Sequence, residues 1–459
     1  MALPESLLFH PELRHPSGLT GEEYIKRSLN RCTASENDDR LKLGRNVAGE
    51  GQVAIAGAGL MGISIAAAFL GAGFHVLLYD VAEEALRTAP DRLQKELALQ
   101  SPDTNFVEVQ SGRFRTTHLL ADLHACPVLI ETIVEKLKIK QKFYAALDDV
   151  VLPGTLLLSN TSTIEINRLA EALNSCRHLS PEHFCGFHFF HPVRRRALLE
   201  IIRGTHTNEV TLALAKRLAI SIAKLPITVN DGPGFLVNRL LNPCLNESLA
   251  LLEEGFPLLR IENVCRRFGM EVGPFRIMDE IGLDVALHSG WSIATRFPDR
   301  VTAHTILPTM VRAERFGRKR GGGFYRYDKT ATFWEDEGIF DDSLTDFLNA
   351  NGIKLAKPEC PDEEMDAEIA TRILLAILLE AGRLVQDGIV SDFSAVDIAL
   401  TCGLGFSKPR GGLCYWADCV GLNRLLEAAE PYKHLGTRYT IPEILRAKDQ
   451  TNEPLIKMS

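Results

Sequence analysis

The chain has 459 residues, of which 46% are hydrophobic and 24% are charged, and its formal net charge at pH 7 is −8. This length exceeds one compact core and, at roughly 150 residues per domain, predicts two to four domains. A negative net charge provides no overall field that would attract nucleic acid or an anionic membrane, so neither is expected as a partner. A polyanionic ligand would have to be held by local features.

Ten cysteines are scattered along the chain without a CxxC pair or a cluster of histidines. This spacing predicts neither a metal site nor a disulfide framework. The first residues, MALPESLLFHPELRHPSG, lack the features of a secretion signal, and no segment approaches the ~20 apolar residues of a membrane span. We therefore expect a soluble protein in a reducing, cytoplasmic setting.

Residues 1–45 are polar, are interrupted by prolines and show no clear period, so we interpret them as an N-terminal extension without an assigned role. Between residues 46 and 230, short apolar runs alternate with helical patterns; the runs are VAIA, VLIET, TLLLSN and HFCGFHFF. Strands interleaved with helices are typical of a largely parallel sheet. This part of the chain is expected to form an α/β domain.

A glycine-rich turn directly follows the first of these strands. Gly57, Gly59 and Gly62 form a GxGxxG motif that also contains Leu60 and Met61. The first glycine permits the tight turn, the second lets the backbone approach a pyrophosphate, and the third allows close packing of helix on strand. The N-terminus of the next helix would add N–H donors and a partial positive charge. The motif predicts a Rossmann-type dinucleotide site, which explains how an acidic chain can hold a polyanion.

Asp80 stands at the end of the second strand, where such sites place an acidic residue. Its carboxylate would accept hydrogen bonds from the ribose hydroxyls of NAD and would repel the 2′-phosphate of NADP, so NAD is the expected cofactor. The alternative is a structural turn followed by an exposed aspartate. The complete unit of strand, turn, helix and strand disfavours this alternative.

Residues 186–200, GFHFFHPVRRRALLE, place a histidine inside an apolar run. Taken alone, a histidine such as His188 is more often a hydrogen-bonded core residue than a catalyst. Glu200 lies on the next predicted strand, ALLEII, and a return through Pro192 would bring it beside His188. A carboxylate on one ring nitrogen fixes the tautomer and raises the basicity of the other nitrogen. Such a pair suits proton removal from an alcohol while a hydride leaves its carbon.

Beyond the α/β domain, long helical patterns without strands begin. We predict a first helical domain over 231–330, an acidic linker over 331–365 and a second helical domain over 366–459. The two are predicted as copies, because NRLLNPCLNESLALLEEG, starting at Asn238, aligns without gaps on TRILLAILLEAGRLVQDG, starting at Thr371. The expected fold is therefore a Rossmann-type α/β domain followed by two tandem all-α domains.

Five motifs carry a resemblance to a known enzyme family. The motifs GAGLMG, ETIVEKLKIK, LSNTSTIEI, GFHFFHPV with LLEII, and DGPGFLVNRLL occur in an order and at spacings that resemble the L-3-hydroxyacyl-CoA dehydrogenases. The tail, including GLGF and HLGTRYTIPEILR, is similar to the dehydrogenase half of multifunctional fatty-acid oxidation proteins. Those proteins carry the helical domain twice.

The resemblance implies roles for individual residues. It assigns the general base to His188 and the orienting carboxylate to Glu200. Ser162, in SNTST, matches the serine that hydrogen-bonds the substrate 3-oxygen, and Asn238, in FLVNR, matches the asparagine near the thioester carbonyl. The alternatives are that Ser162 caps a helix starting near Ile164 and that Asn238 is an ordinary polar helix residue.

Glu135 and Lys140, in VEKLKIK, match residues that line the nicotinamide side of the cofactor. His191 replaces the asparagine usual in HFFNPV, and the resemblance places it so near the nicotinamide that its charge state is expected to add a pH-sensitive term. Three arginines, residues 194–196, replace apolar residues of the family pattern. They are either solvated surface charges or ligands for CoA phosphates or a carboxylated acyl tail.

The resemblance thus implies an NAD-dependent oxidoreductase of fatty-acid β-oxidation that converts an L-3-hydroxyacyl-CoA to a 3-ketoacyl-CoA. Its implied partner is an acyl-CoA thioester. A dehydrogenase of free 3-hydroxy acids and a catalytically silent NAD-binding or scaffold protein are the alternatives. The second helical copy is expected to cover the first within one chain, which leaves monomer and homodimer both open.

Overall fold

The structure, a computed structural model, describes residues 2–9, 15–33, 51–101, 112–328 and 337–457. The chain divides into two compact units, one of residues 28–235 and one that joins residues 1–27 to residues 236–459. The first unit contains the predicted α/β domain, and the second contains both predicted helical regions. Residues 34–45 of the predicted extension and residues 331–336 of the predicted linker lie outside the described residues.

The first unit contains an eight-stranded sheet in the order β3-β2-β1-β4-β5-β6-β7-β8. Neighbouring strands run parallel except for β6 and β7, which are antiparallel. The largely parallel sheet is the predicted architecture. The strands of the sheet are β1 Gln52–Ala56, β2 His75–Tyr79, β3 Phe114–Thr117, β4 Val128–Glu131, β5 Leu156–Ser159, β6 Phe184–Phe189, β7 Leu198–Arg203 and β8 Leu225–Asn230.

None of the described helices is long and apolar enough to cross a membrane.

In chain order the described α-helices are α1 Glu5–Leu8, α2 Gly21–Thr33, α3 Leu60–Gly71, α4 Glu83–Gln100, α5 Leu137–Asp148, α6 Ile166–Ala170, α7 Glu209–Ser221, α8 Val237–Glu253, α9 Leu258–Phe268, α10 Pro274–Ile281, α11 Leu283–Arg296, α12 Ile306–Arg312, α13 Leu344–Ala350, α14 Met365–Gln386, α15 Phe393–Ile398, α16 Leu413–Val420, α17 Leu422–Ala429 and α18 Glu443–Thr451.

The direction of the strands determines where the loops of the first unit meet. The strands β1, β2, β4, β5 and β6 are parallel, so the loops after them leave from one edge of the sheet. Because β7 is antiparallel to β6, the beginning of β7 lies at the same edge. In open α/β sheets, ligands bind outside the carboxyl ends of the parallel strands. This edge therefore brings the predicted site residues of the first unit together.

Two long helices pack against each other at the centre of the helical unit, and they are the helices α8 and α14 of the predicted repeat. Arg239 on α8 donates from Nε to Glu380 on α14 at 2.7 Å, and from Nη2 to Asp387 at 3.2 Å. In the opposite direction Arg372 on α14 donates to Glu247 and Glu254, each at 2.7 Å. The arginine and the two acidic residues occupy equivalent positions in the aligned segments, so each segment contributes the same contacts to the other.

A looser likeness in sequence links GPFRIMDEIGLD, residues 273–284, with KPRGGLCYWADCVGLN, residues 408–423, and these segments also share local structure. Gly273 precedes α10 and Gly412 precedes α16, and a Cβ at either position would overlap a buried carboxylate. These carboxylates belong to Glu262 and Asp397, and each accepts backbone N–H groups from the first turn of the helix that follows the glycine. The glycines are therefore required because a carboxylate cap approaches the backbone closely.

The predicted linker carries regular structure in its described part. Residues Ile339–Phe340 form a short strand, β10, which pairs antiparallel with the strand β9 at Tyr325–Arg326. The helix α13 follows at once. Residues 339–341 therefore pair with residues 324–326, and the described part of the predicted linker is not a plain connection.

The N-terminal residues belong to the helical unit, although their sequence indicated no role. The indole Nε1 of Trp416 donates to the carbonyl of Leu7 at 3.1 Å, and the hydroxyl of Tyr24 donates to Asp397 at 3.2 Å. The ring of Tyr24 also stacks on Tyr415, with the ring centroids 5.3 Å apart. Sequence patterns missed this packing because its partners lie 373 and 409 residues away along the chain.

We expect Tyr24→Phe to lower the free energy of unfolding of the helical unit by about 1–3 kcal/mol, the typical cost of leaving a buried acceptor without one of its donors. The Phe side chain keeps the ring that stacks on Tyr415, so the variant isolates the bond to Asp397. Urea unfolding of the full chain, followed by tryptophan fluorescence, measures the change. An unchanged midpoint and slope would show that residues 15–27 do not dock on this unit.

Candidate active site

The glycine turn after β1 has the shape that a dinucleotide requires. Gly57 has a positive φ of 111°, which favours glycine, and its N–H donates to the carbonyl of Tyr79 at 2.8 Å. A Cβ on Gly62 would overlap the carbonyl oxygen of Gly57, so the helix can pack this closely only with glycine there. At Gly59, by contrast, no described atom lies within 4 Å of the place a Cβ would take. This open position at the start of α3 fits a pyrophosphate against the backbone N–H groups.

Asp80 follows β2 and lies beside this turn. Its carboxylate accepts from the backbone N–H of Ala58 at 2.6 Å and from that of Ala82 at 2.9 Å. The side chain of Leu60 is 65% exposed at the first turn of α3, and Met61 is half-buried. The Asp80 carboxylate is therefore hydrogen-bonded to the glycine turn, in the place where ribose hydroxyls are bound in dinucleotide sites.

Thr132 supports the same turn, although the sequence did not single it out. Its hydroxyl lies 2.9 Å from the carbonyl of Ala56 and 3.0 Å from that of Gly57. The backbone N–H of Thr132 also donates to Ala56. The only signal available in the sequence was the position of Thr132 directly after an apolar strand.

His188 and Glu200 face each other across β6 and β7, as the return through Pro192 predicted. They are register partners in the antiparallel pair, and Nδ1 of His188 lies 2.7 Å from Oε2 of Glu200. The side chain of Glu200 is fully buried and that of His188 is 7% exposed. A buried carboxylate on Nδ1 fixes the proton there, which leaves Nε2 as the basic nitrogen.

Aromatic rings surround the imidazole of His188. The ring centroid of Phe190 lies 4.6 Å away and that of Phe235 lies 6.0 Å away. No hydrogen bond from another described residue engages Nε2. The imidazole is thus held at Nδ1 by a carboxylate and packs beside two tilted apolar rings, which leaves Nε2 to a ligand.

Glu135 organises the loop that carries Ser162. One oxygen of the Glu135 carboxylate accepts from the hydroxyl of Thr161 at 2.6 Å, the N–H of Ser162 at 2.9 Å and the N–H of Thr163 at 3.1 Å. Ser162 does not cap the next helix, because α6 begins only at Ile166. The alternative role of Ser162 as a helix cap is therefore wrong.

Lys140 lies behind Glu135 and is only 1% exposed. Its ammonium group contacts Glu131 at 2.6 Å and Glu135 at 3.2 Å. Because the ammonium group of Lys140 is buried, it can affect the nicotinamide side of the cofactor site only through Glu135. The direct role that the resemblance implied for Lys140 stays a prediction that this burial disfavours.

His191 has a lowered basicity that the sequence did not reveal. Its ring has exposed surface, yet the surrounding protein removes enough hydration to lower the pKa of His191 to about 4, and the charges of Arg194 and Arg196 act in the same direction. The ring is therefore neutral above about pH 5. The pH-sensitive contribution predicted for His191 falls below the physiological range.

We expect His191→Asn to leave the pH dependence of NAD binding unchanged between pH 6 and 8. In the same variant the loss of stability on acidification should shrink between pH 6.5 and 4. In that window the parent's unfolded chain binds a proton at residue 191 and the folded chain does not, so acid favours unfolding. Calorimetric titration of NAD and urea unfolding across this pH range measure both effects. A stability difference between parent and variant that is constant with pH would contradict the lowered pKa.

The three arginines after Pro192 differ in their surroundings. Arg194 contacts Glu96 on α4 at 3.2 Å, and both side chains are largely covered. Arg195 is exposed. The ammonium group of Lys224 donates to the carbonyls of Val193 and Arg196 and holds this turn. An internal partner makes Arg194 a poor candidate for binding CoA, whereas Arg195 stays a candidate.

Two further side chains hold the site loops, and the sequence missed both. Asn160 accepts the N–H of Phe189 at 2.8 Å and so joins the Ser162 loop to the strand of His188. Asp231 accepts the N–H groups of Ile166 and Asn167 at 2.9 and 2.8 Å and caps α6. Both residues lie within the quoted motifs, but their partners are distant in sequence. Asn238 lies in the helical unit, in the first turn of α8.

Comparison with known proteins identifies the family. Residues 52–232 match the NAD binding domain of the 3-hydroxyacyl-CoA dehydrogenases, and residues 234–327 match their C-terminal domain. The chain belongs to the 3-hydroxyacyl-CoA dehydrogenase family. It is accordingly an oxidoreductase that acts on CH–OH groups, with NAD as its cofactor, and the predicted resemblance is confirmed. The matched helical domain ends at residue 327.

Solved structures extend the likeness along the chain. The 3-hydroxybutyryl-CoA dehydrogenase from Escherichia coli K12 is 25% identical with a TM-score of 0.71, and the match covers 87% of this chain and 98% of that one. For (S)-3-hydroxybutyryl-CoA dehydrogenase PaaH1 from Ralstonia eutropha, identity is 32%, the TM-score is 0.54, and coverage is 61% of this chain and 99% of that one. The dehydrogenase part of multifunctional enzyme 1 from C. elegans shares the fold at 23% identity, with a TM-score of 0.60 over 86% of this chain and 89% of that one.

Proposed function

We propose that the protein oxidises an L-3-hydroxyacyl-CoA to a 3-ketoacyl-CoA, with His188 as general base and Glu200 as its orienting carboxylate. The observation that carries this proposal is the 2.7 Å contact between Nδ1 of His188 and Glu200, at the edge of the sheet where the glycine turn also lies. The 3-hydroxybutyryl-CoA dehydrogenases among the similar structures support the substrate class.

The residues present suit this reaction. NAD, when bound, supplies the acceptor for the hydride. Nε2 of His188 takes the hydroxyl proton, and the carboxylate of Glu200 stabilises the imidazolium that results. Ser162 is proposed to hold the substrate oxygen on a loop that Glu135 fixes, so that the oxygen stays oriented while the proton moves. For Asn238, the role near the thioester stays a prediction from the resemblance.

One assay separates this proposal from its alternatives. NADH formation is measured at its absorbance band with 3-hydroxybutyryl-CoA, with free 3-hydroxybutyrate and without substrate. The proposal requires turnover with the CoA ester and little with the free acid. Turnover of the free acid alone would support a hydroxy-acid dehydrogenase, and NAD binding without any turnover would support a scaffold protein. CoA esters of different length, including dicarboxylic ones, then define the acyl group.

We also propose that residues 231–330 and 366–459 are two copies of one helical domain. The reciprocal ion pairs of Arg239 and Arg372 support this, as do the helices α10 and α16, each preceded by a glycine and capped by a buried carboxylate. Thr371 stands where the first copy has Asn238, and its hydroxyl accepts the N–H of Leu3 at 2.8 Å. The second copy is thus proposed to cover the first and to carry no catalysis. Sedimentation of the full chain tests whether a single chain is then sufficient, that is, whether the protein is a monomer.

A further inference from the structure

We infer that Glu131 and Lys140 are positioning residues that hold the loop carrying Ser162, through the carboxylate of Glu135. This inference rests on the proposed function, because it assigns the loop its importance. It extends that proposal to two buried side chains that do not contact the reacting atoms themselves.

The innermost of the three residues Glu131, Lys140 and Glu135 is Glu131, at the end of β4, and its carboxylate is fully buried. Its Oε1 accepts from the N–H of Ile133 at 2.8 Å and from Lys140 at 2.6 Å. Its Oε2 accepts from the hydroxyls of Tyr144 and Ser159, each at 2.8 Å. Four donors on two oxygens leave this carboxylate one orientation. Glu131 is therefore a rigid anchor at the base of the loop.

Lys140 carries the connection outward from Glu131. Its ammonium group has three donors, and three acceptors lie around it: Glu131 at 2.6 Å, Glu135 at 3.2 Å and the carbonyl of Ile133 at 3.4 Å. A buried ammonium group is tolerated only where charges of opposite sign and hydrogen bonds compensate its lost hydration. Lys140 is thus held by Glu131 and in turn presents a fixed positive charge to Glu135.

Glu135 is the residue that joins Lys140 to the loop carrying Ser162. Its Oε2 faces Lys140, and its Oε1 gathers the donors of residues 161–163. Burial acts to raise the pKa of Glu135, but the charge of Lys140 and the hydrogen bonds from the loop outweigh it and hold the pKa below its usual range. Hydrogen bonds to an ionised carboxylate are about twice as strong as neutral ones. The loop that carries Ser162 is therefore ordered by a charge that Lys140 keeps in place.

The connection also reaches the strand of His188. Asn160, in the same loop, accepts the N–H of Phe189, the residue that follows His188. Loss of order in the loop would therefore affect the position of Ser162 and also the residues around His188. For this reason we expect the rate of the chemical step to respond more than substrate binding does.

The test uses Lys140→Met in the full chain, which removes the charge and keeps the length of the side chain. We expect hydrogen exchange of the amides in residues 160–165 to speed up about tenfold or more, because loop hydrogen bonds to a charged acceptor are weakened. With an accepted CoA ester, kcat should fall about tenfold and KM should change much less, as expected for an interaction made chiefly in the transition state.

The matched control is Asp148→Asn on the same helix, α5. Asp148 likewise accepts backbone N–H groups from a neighbouring segment, residues 177–179, and lies at the opposite end of α5 from Lys140. The control should lose stability without faster exchange at 160–165 and without a change in kcat. If Lys140→Met does not fold, the double variant Glu131→Gln with Lys140→Met replaces it, because the fully buried side chain at position 131 then carries no unpaired charge.

Exchange at 160–165 and kcat both equal to the parent in a folded variant would overturn the inference. A fall in kcat with no change in exchange would also overturn it, since the effect would then bypass the loop. Should the parent fail to turn over any 3-hydroxyacyl-CoA, the proposed function falls, while the exchange measurement still decides whether Glu131 and Lys140 order the loop.

Discussion

Replacement of His188 by glutamine is expected to lower kcat about 100- to 10,000-fold, the range that general acid–base catalysis contributes. Glutamine retains a hydrogen-bonding group beside Glu200 but offers no basic nitrogen in place of Nε2. The fold and the glycine turn are not altered, so the affinity for NAD should stay near that of the parent. Steady-state rates with the best CoA ester, together with a calorimetric titration of NAD, measure the two quantities.

His178→Gln is the matched control for this prediction. His178 lies in the same unit, and its Nδ1 contacts the backbone carbonyl of Asp148 at 2.8 Å, away from the carboxyl edge of the sheet. The control should keep the parent kcat. If His188→Gln also turned over at the parent rate, the imidazole beside Glu200 would be a core residue and the proposed mechanism would be wrong.

Replacement of Glu247 by alanine is expected to lower the free energy of unfolding by about 3–5 kcal/mol, as the removal of one partner from a buried ion pair does. Glu247 is fully buried between two arginines. Its oxygens accept from Nε of Arg372 at 2.7 Å and from Nε of Arg438 at 2.8 Å. In the variant, the largely buried guanidinium groups of Arg372 and Arg438 each lose a negatively charged partner. Urea or thermal unfolding of the full chain measures the loss.

The control here is Glu84→Ala. Glu84 contacts Arg87 at 2.7 Å, but both side chains are more than two thirds exposed, so water replaces the contact and no measurable change is expected. Equal unfolding midpoints for Glu247→Ala and the parent would mean that α8 and α14 are not joined by this buried network. Glu247 lies outside the unit that carries the glycine turn, so NAD affinity should be unaffected in Glu247→Ala.

Several features of the site were evident in the sequence because their requirements are local. The glycines 57, 59 and 62 follow from a tight turn and a close helix, which depend on a few consecutive residues. The pairing of His188 with Glu200 was predictable because two apolar strands flank a short return, and antiparallel register then places one residue opposite the other. The predicted repeat rests on aligned residues, and the reciprocal ion pairs give a physical reason for arginines and acidic residues at equivalent positions of the two segments.

Other features required the tertiary structure. Lys140 matched a residue beside the cofactor, yet the structure buries its ammonium group between two carboxylates. The capping of α6 by Asp231, more than 60 residues away, could not be inferred from the residues at the helix start. The lowered pKa of His191 depends on which atoms of the folded chain exclude water from its ring.

The sequence by itself indicated the family through the resemblance of five motifs, and it predicted the cofactor and the residues proposed for proton transfer, because turns, strand periodicity and motif spacing are short-range properties. Only the tertiary structure decided which of those residues touch the surface and which support others from inside. It also decided that residues 2–9 and 15–27 complete the helical unit. Burial, charge pairing and hydration are set by neighbours that are far apart along the chain, and these become known only when the chain is folded.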